Sequence, residues 1–177
     1  MTFRPSATGW HPLAAGDVET IRTQLGRTPR GLLGVAARAA DGTPMVVVTD
    51  PLLPGGSPFP TFYYLTLPAL VSACSTLEAE GWMAGFTRRL AAEPELADAY
   101  AQAHERYLAD RDAVRVVPEL AGISAGGMPA RVKCVHAVVA HALAAGPGVN
   151  PAGDQALRDL GWPGWASLPE APDAPER

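Results

Sequence analysis

The chain has 177 residues, enough for one domain with a substantial core and too few for two comfortable ones. A formal net charge of -4 with 18% charged residues excludes a chain-wide basic field for nucleic acid or an anionic membrane surface. No run of about 18 apolar residues occurs, and the first residues lack a charged segment followed by an apolar one, so a cytoplasmic protein with no membrane partner is expected.

Residues 1–16 hold Pro5, Gly9, Pro12 and Gly16 without periodicity and read as an irregular lead. Asp17 offers an N-cap with Glu19 in the first turn, and Gly26 ends a short helix carrying Val18, Ile21 and Leu25 at helical spacing. The small apolar run Leu32 to Arg38, the Asp41-Gly42 turn and Met45 to Val48 predict a β-hairpin. Pro51 to Pro60 is a turn-rich loop, and Thr61 to Thr66 has the aromatic and β-branched content of a further strand.

Pro68 opens a helix in which Leu70, Val71, Cys74 and Leu77 recur at helical spacing up to Gly81. A second helix is expected over Trp82 to Ala92. A third runs from Pro94 to about Val114, with Leu96, Tyr100, Ala103 and Tyr107 in one stripe and His104, Leu108 and Arg111 beside it. Pro118 to Ala125 reads as a connector. A central, nearly all-apolar helix is then expected from the Gly126-Gly127-Met128-Pro129 turn to Gly146, and a short last helix from Asp154 to Leu160 after a stop at Asn150-Pro151. The fold class is α+β: one α-rich domain over 17–161, with about five helices on a small antiparallel sheet, and a proline-rich tail over 162–177 expected to be disordered.

The polar groups of the central stretch carry the functional expectation. Arg131 and Lys133 place positive charge near a helix start, where the macrodipole disfavours it by roughly 0.3–1 kcal/mol each, and Gly126 and Gly127 permit close backbone approach. This pattern suits the phosphate or carboxylate of a small ligand, and equally suits an Asp or Glu from another segment. Cys134 reads either as a buried inert thiol or as a nucleophile with His136 or His141 as base. His104, beside Glu105, reads as an acid–base group near Tyr63 or Tyr64, or as a hydrogen-bonded core histidine. No metal ligand set is assigned, because on one continuous helix Cys134 and His136 lie about 200° apart and Cys134 and His141 about 10 Å apart along the axis.

Three separated motifs, PFPTFYYLTLP, AHERYLADRD and SAGGMPARVKCVHAVVAHALAAGPGVNPAGD, resemble in order and spacing the bacterial family called domain of unknown function 501, over about Leu25 to Leu160. The resemblance implies a small cytoplasmic bacterial protein, commonly encoded near enolase, a division septum protein and an exopolyphosphatase. Its matching polar positions are Tyr63, Tyr64, Thr66, His104, Arg111, Arg131, Lys133, Cys134, His136 and His141, then Asn150 and Asp154. Family members read Leu-Thr-Cys-Pro where this chain has Leu65-Thr66-Leu67-Pro68. If that cysteine pairs with Cys134 on a metal, this chain lacks a ligand unless Cys74 substitutes.

Three functions are therefore carried forward. The leading expectation is binding, and turnover if the protein is an enzyme, of a small anionic ligand held by Gly126, Gly127, Arg131, Lys133, Tyr64, Arg111 and His141, with His136, His104 and Cys134 as candidate catalytic groups and no cofactor. The second is a non-catalytic interaction module linked to cell division or polyphosphate metabolism, using the Pro51–Pro60 loop or the tail to dock an unspecified protein partner. The third is a metal-binding protein using Cys134 and histidines.

Overall fold

The computed structural model describes residues 10–165, so the expected disorder of the tail beyond residue 165 and the lead before residue 10 lie outside the described residues. The fold is α+β, with four antiparallel strands and six helices, one more than expected. The strands β1 (His11–Pro12), β2 (Leu32–Arg38), β3 (Pro44–Thr49) and β4 (Tyr63–Leu65) lie side by side in that order. The helices are α1 (Asp17–Leu25), α2 (Pro68–Ala79), α3 (Trp82–Ala92), α4 (Pro94–Val114), α5 (Val135–Ala145) and α6 (Pro151–Asp159), with a 3-10 turn at Pro118–Leu120.

The hairpin forms where Asp41-Gly42 places it, pairing Val35 with Val47, and β4 then pairs Tyr64 with Val47. Every residue of β3 is buried, so both sheet faces are covered. Alternation along the strand assigns the faces: Val46 and Val48 join the main core of the helical body, whereas Val47 packs with Ile21 of α1 and Val35. The lead is not wholly irregular, because His11 and Pro12 add an edge strand to β2. Asp17 is not a cap. It lies inside α1, buried, and accepts hydrogen bonds from Arg38 at 2.6 and 2.9 Å.

The helix signals of proline at the start hold for α2, α4 and α6. Asn150-Pro151 begins α6 rather than stopping the preceding helix: Asn150 Oδ1 accepts from the Ala152 and Gly153 amides at 3.1 Å each. The central helix is where the expectation needs most correction. It begins at Val135, nine residues after Gly126, and buries nine of its eleven residues against β4, α2 and α6. Gly126 and Gly127 adopt φ of 68° and 91°, and the chain folds back so that Lys133 N–H donates to Gly126 O at 2.7 Å and Arg131 N–H to Gly127 O at 3.2 Å. A Cβ at Gly127 would stand 2.6 Å from Arg131 O, so glycine is required there. This loop leaves Cys134 extended at φ -153°, as the residue before the helix rather than one inside it.

Candidate functional site

A cavity of about 740 Å³ opens between β4, the first turns of α2, and the segment that leads into α5. Its apolar wall includes Tyr63, Tyr64, Leu65, Pro68 and Val71, and its polar groups include Ser72, Ser124, Cys134 and His136. Gln24 of α1 also reaches it; its side-chain amide donates to Pro44 O at 2.8 Å, leaving Oε1 buried without a hydrogen-bond partner.

Two elements build the polar end. On α2 the buried stripe of Leu70, Cys74 and Leu77 continues one step to Glu78, which turns toward the start of α5. Glu78 Oε1 accepts the Val135 amide at 2.7 Å, satisfying one of the four N–H groups that a helix start leaves without intrahelical partners. The same oxygen lies 3.0 Å from His136 Nδ1, and Cys134 Sγ lies 3.9 Å from that nitrogen. His136 Nε2 is 3.0 Å from the Val71 carbonyl and 3.3 Å from Ser75 Oγ. A carbonyl only accepts, so Nε2 carries a proton and Nδ1 is the nitrogen that faces the thiol and the carboxylate.

The electrostatics follow from these contacts. The Cys134 sulfur pushes His136 up to about 9, with Glu78 assisting and burial opposing. Burial raises the Glu78 carboxyl, but the Val135 amide and His136 outweigh it and hold the group below its usual range. Cys74 sits on the apolar stripe, where burial pushes its thiol up to about 12 and keeps it unreactive.

The structure brings together only part of the expected constellation. Tyr64, Gly126, Cys134 and His136 share the cavity wall. Arg131 and Lys133 are exposed and do not line the cavity, because the back-folded loop turns them outward. Gly127 serves that loop instead. Arg111 is buried and spends its guanidinium on the Leu120 carbonyl at 3.0 Å, the Ile123 carbonyl and Asp112, tying α4 to the connector. His104 is buried and, rather than meeting Tyr63 or Tyr64, is bonded through Nδ1 to Ser124 Oγ at 2.8 Å, behind the cavity wall.

His141 is removed from the site as well. It lies at 0% exposure, stacked on Tyr63 at 5.8 Å and edge-on to Tyr107 at 5.2 Å, with Nδ1 accepting from Asn150 Nδ2 at 3.1 Å. Burial lowers its pKa to about 3, so it is a neutral core residue, and its Nε2 has no hydrogen-bond partner. The Pro51–Pro60 loop closes on itself, with Phe59 N–H donating to Pro51 O at 2.8 Å and Leu53 N–H to Ser57 O at 2.9 Å. Among the described residues no helix is long and apolar enough to cross a membrane.

Sequence reasoning did not name Glu78, Ser72 or Ser124. Glu78 had a signal: it is the acidic residue at the next helical position of an otherwise apolar stripe on α2. The other two are ordinary serines whose position only the fold reveals. Neither among curated proteins nor among solved structures does any match this chain. Residues 35–158 match the family described as Protein of unknown function (DUF501), and the chain belongs to that family.

Proposed function

We propose that the protein binds a small molecule in the cavity between β4 and α2, an apolar body with a phosphate or carboxylate head directed at Cys134 and His136. The observation that carries this reading is the cavity itself, about 740 Å³ with an aromatic and aliphatic wall interrupted at one end by a cysteine and a histidine. That volume falls among those of small-molecule sites, which are mostly apolar with a few polar groups that fix orientation. The cavity lining contains no arginine or lysine among the described residues, so His136 is its basic side chain and replaces Arg131 and Lys133 in the expected role. Cys134 and His136 are also the groups placed to act on a bound head, should turnover follow.

The test uses 1-anilinonaphthalene-8-sulfonate, a probe with an apolar body and an anionic head. Ser72 is exposed on α2 and lines the cavity, so Ser72→Trp fills the opening without entering the core. The wild-type protein is expected to bind one equivalent with a blue-shifted emission, and Ser72→Trp to lose at least about tenfold in affinity while keeping its circular dichroism and melting temperature. Equal affinities in the two folded proteins would overturn the reading.

A further inference from the structure

We infer that Glu78, Cys134 and His136 form a binding site for one zinc-class divalent cation at the edge of the cavity. Their ligand atoms, a carboxylate oxygen, a thiol sulfur and an imidazole nitrogen, all lie within 4.8 Å of one another, and all three residues are half-buried. A tetrahedral zinc ion, bonded to sulfur at about 2.3 Å and to nitrogen or oxygen at about 2.0 Å, holds its sulfur and nitrogen ligands about 3.5 Å apart and its nitrogen and oxygen ligands about 3.3 Å apart. The protein sets the corresponding separations at 3.9 and 3.0 Å. These two separations match the tetrahedral values to within a few tenths of an ångström, and the remaining pair, thiol sulfur and carboxylate oxygen, lies within 4.8 Å, so one ion can be gathered by side-chain movement at half-buried positions.

The surrounding groups support the assignment independently of those distances. A metal-bound histidine characteristically donates its other ring N–H to a carbonyl or carboxylate, which fixes the ring and directs the free lone pair at the ion. His136 does this, with Nε2 held 3.0 Å from Val71 O and Nδ1 turned to Cys134 and Glu78. A ligating carboxylate is commonly hydrogen-bonded in turn, and Glu78 Oε1 accepts from Val135 N–H at 2.7 Å. Thiolate with imidazole and one carboxylate selects zinc over the hard cations magnesium and calcium, which take oxygen ligands.

The separation that one continuous helix would impose on Cys134 and His136 is absent here, because Cys134 is extended and the helix begins after it. The third ligand comes from α2, far away in sequence. Cys74 is not in the cluster, although it lies one helical turn before Glu78. Three protein ligands leave a fourth tetrahedral position, and Cys134 and His136 border the cavity. The ion would supply positive charge to a wall that has no lysine or arginine. That consequence rests on the ligand reading, but the site itself does not.

The test uses metal alone. Full-length protein is stripped with a chelator, confirmed folded by circular dichroism, and titrated with zinc against a chromophoric competitor, then with cobalt. The expected result is one equivalent of metal per chain and a cobalt spectrum with the sulfur-to-metal charge-transfer band and intense visible bands of a tetrahedral thiolate site. Cys134→Ser should abolish the charge-transfer band and weaken zinc at least about 100-fold, Glu78→Gln should weaken zinc and keep the band, and Cys74→Ser should change neither. A folded wild-type protein that binds well under one equivalent, a cobalt spectrum without a thiolate band, or equal zinc affinity in Cys134→Ser would overturn the inference. Because no organic ligand is present, failure here is separate from failure of the dye experiment.

Discussion

Acidification should destabilise this protein through one identifiable residue. His141 is fully buried between Tyr63, Tyr107 and Asn150, and Arg106 adds to the cost of charging it, so the fold keeps it neutral with a pKa near 3. In the unfolded chain it titrates near 6.5. The sign is fixed by these two values. Above the unfolded pKa both states bind no proton and the residue contributes no pH dependence; below it only the unfolded chain is protonated, and stability falls by about 1.4 kcal/mol per pH unit until the folded value is reached. Between pH 7 and pH 5 this amounts to about 2 kcal/mol, a sizeable share of the roughly 5–15 kcal/mol typical of a domain.

The control is His141→Asn, whose carbonyl oxygen can stand near the Nδ1 position and accept from Asn150 while removing the titration. The variant will be less stable at pH 7 because it leaves a cavity, by about 1–3 kcal/mol. What decides the matter is the difference between the two proteins as pH changes. Urea unfolding at pH 7 and pH 5 should show that difference shrinking by about 2 kcal/mol as the pH falls, since the other titrating groups are common to both. Parallel stability curves over this range would refute the assignment of His141 as a neutral core histidine.

Two further outcomes follow from the packing and the site. Gly153 is where α6 crosses α5, and a Cβ there would overlap the Val138 carbonyl oxygen and come within 2.6 Å of Ala142 Cβ; Gly153→Ala should cost about 1–3 kcal/mol, read as a lower urea midpoint, and an unchanged midpoint would show that the helices are free to separate. Arg131 and Lys133 are exposed and outside the cavity, so the double change to alanine should leave dye affinity within about twofold; a tenfold loss would return them to the site.

Where a local rule decides the structure, the sequence discloses it. Asp41-Gly42 sets the hairpin, Pro68, Pro94 and Pro151 each start a helix, and the stripe Tyr100, Ala103 and Tyr107 faces the core as its spacing requires. The start of α5 was not legible in the same way. Gly126 to Pro129 looks like a helix opening, but the chain there closes a tight loop stabilised by hydrogen bonds from Arg131 and Lys133 back to the two glycines. That single displacement moved Cys134 from the interior of a helix to its edge and placed its sulfur beside His136 instead of across the helix from it.

The composition of the cluster was hidden for a different reason. Glu78 meets Cys134 and His136 only because α2 packs against α5, a contact that periodicity within either helix does not encode. The charged residues nearest in sequence, Arg131 and Lys133, drew the functional expectation toward themselves, yet the loop turns both to solvent. Tyr64 lines the cavity from the short strand at the sheet edge. Arg111 and His141, equally prominent as polar residues among apolar ones, lie away from the cavity, the first bonded to the connector and the second stacked in the core.

The proposed centre joins Cys134, His136 and Glu78 at the edge of the cavity. X-ray absorption at the zinc edge of the stoichiometrically loaded protein tests it most directly. One sulfur neighbour at about 2.3 Å and nitrogen or oxygen neighbours at about 2.0 Å are expected in a four-coordinate site, with the sulfur lost in Cys134→Ser. A first shell of nitrogen and oxygen alone in the wild-type protein would contradict it.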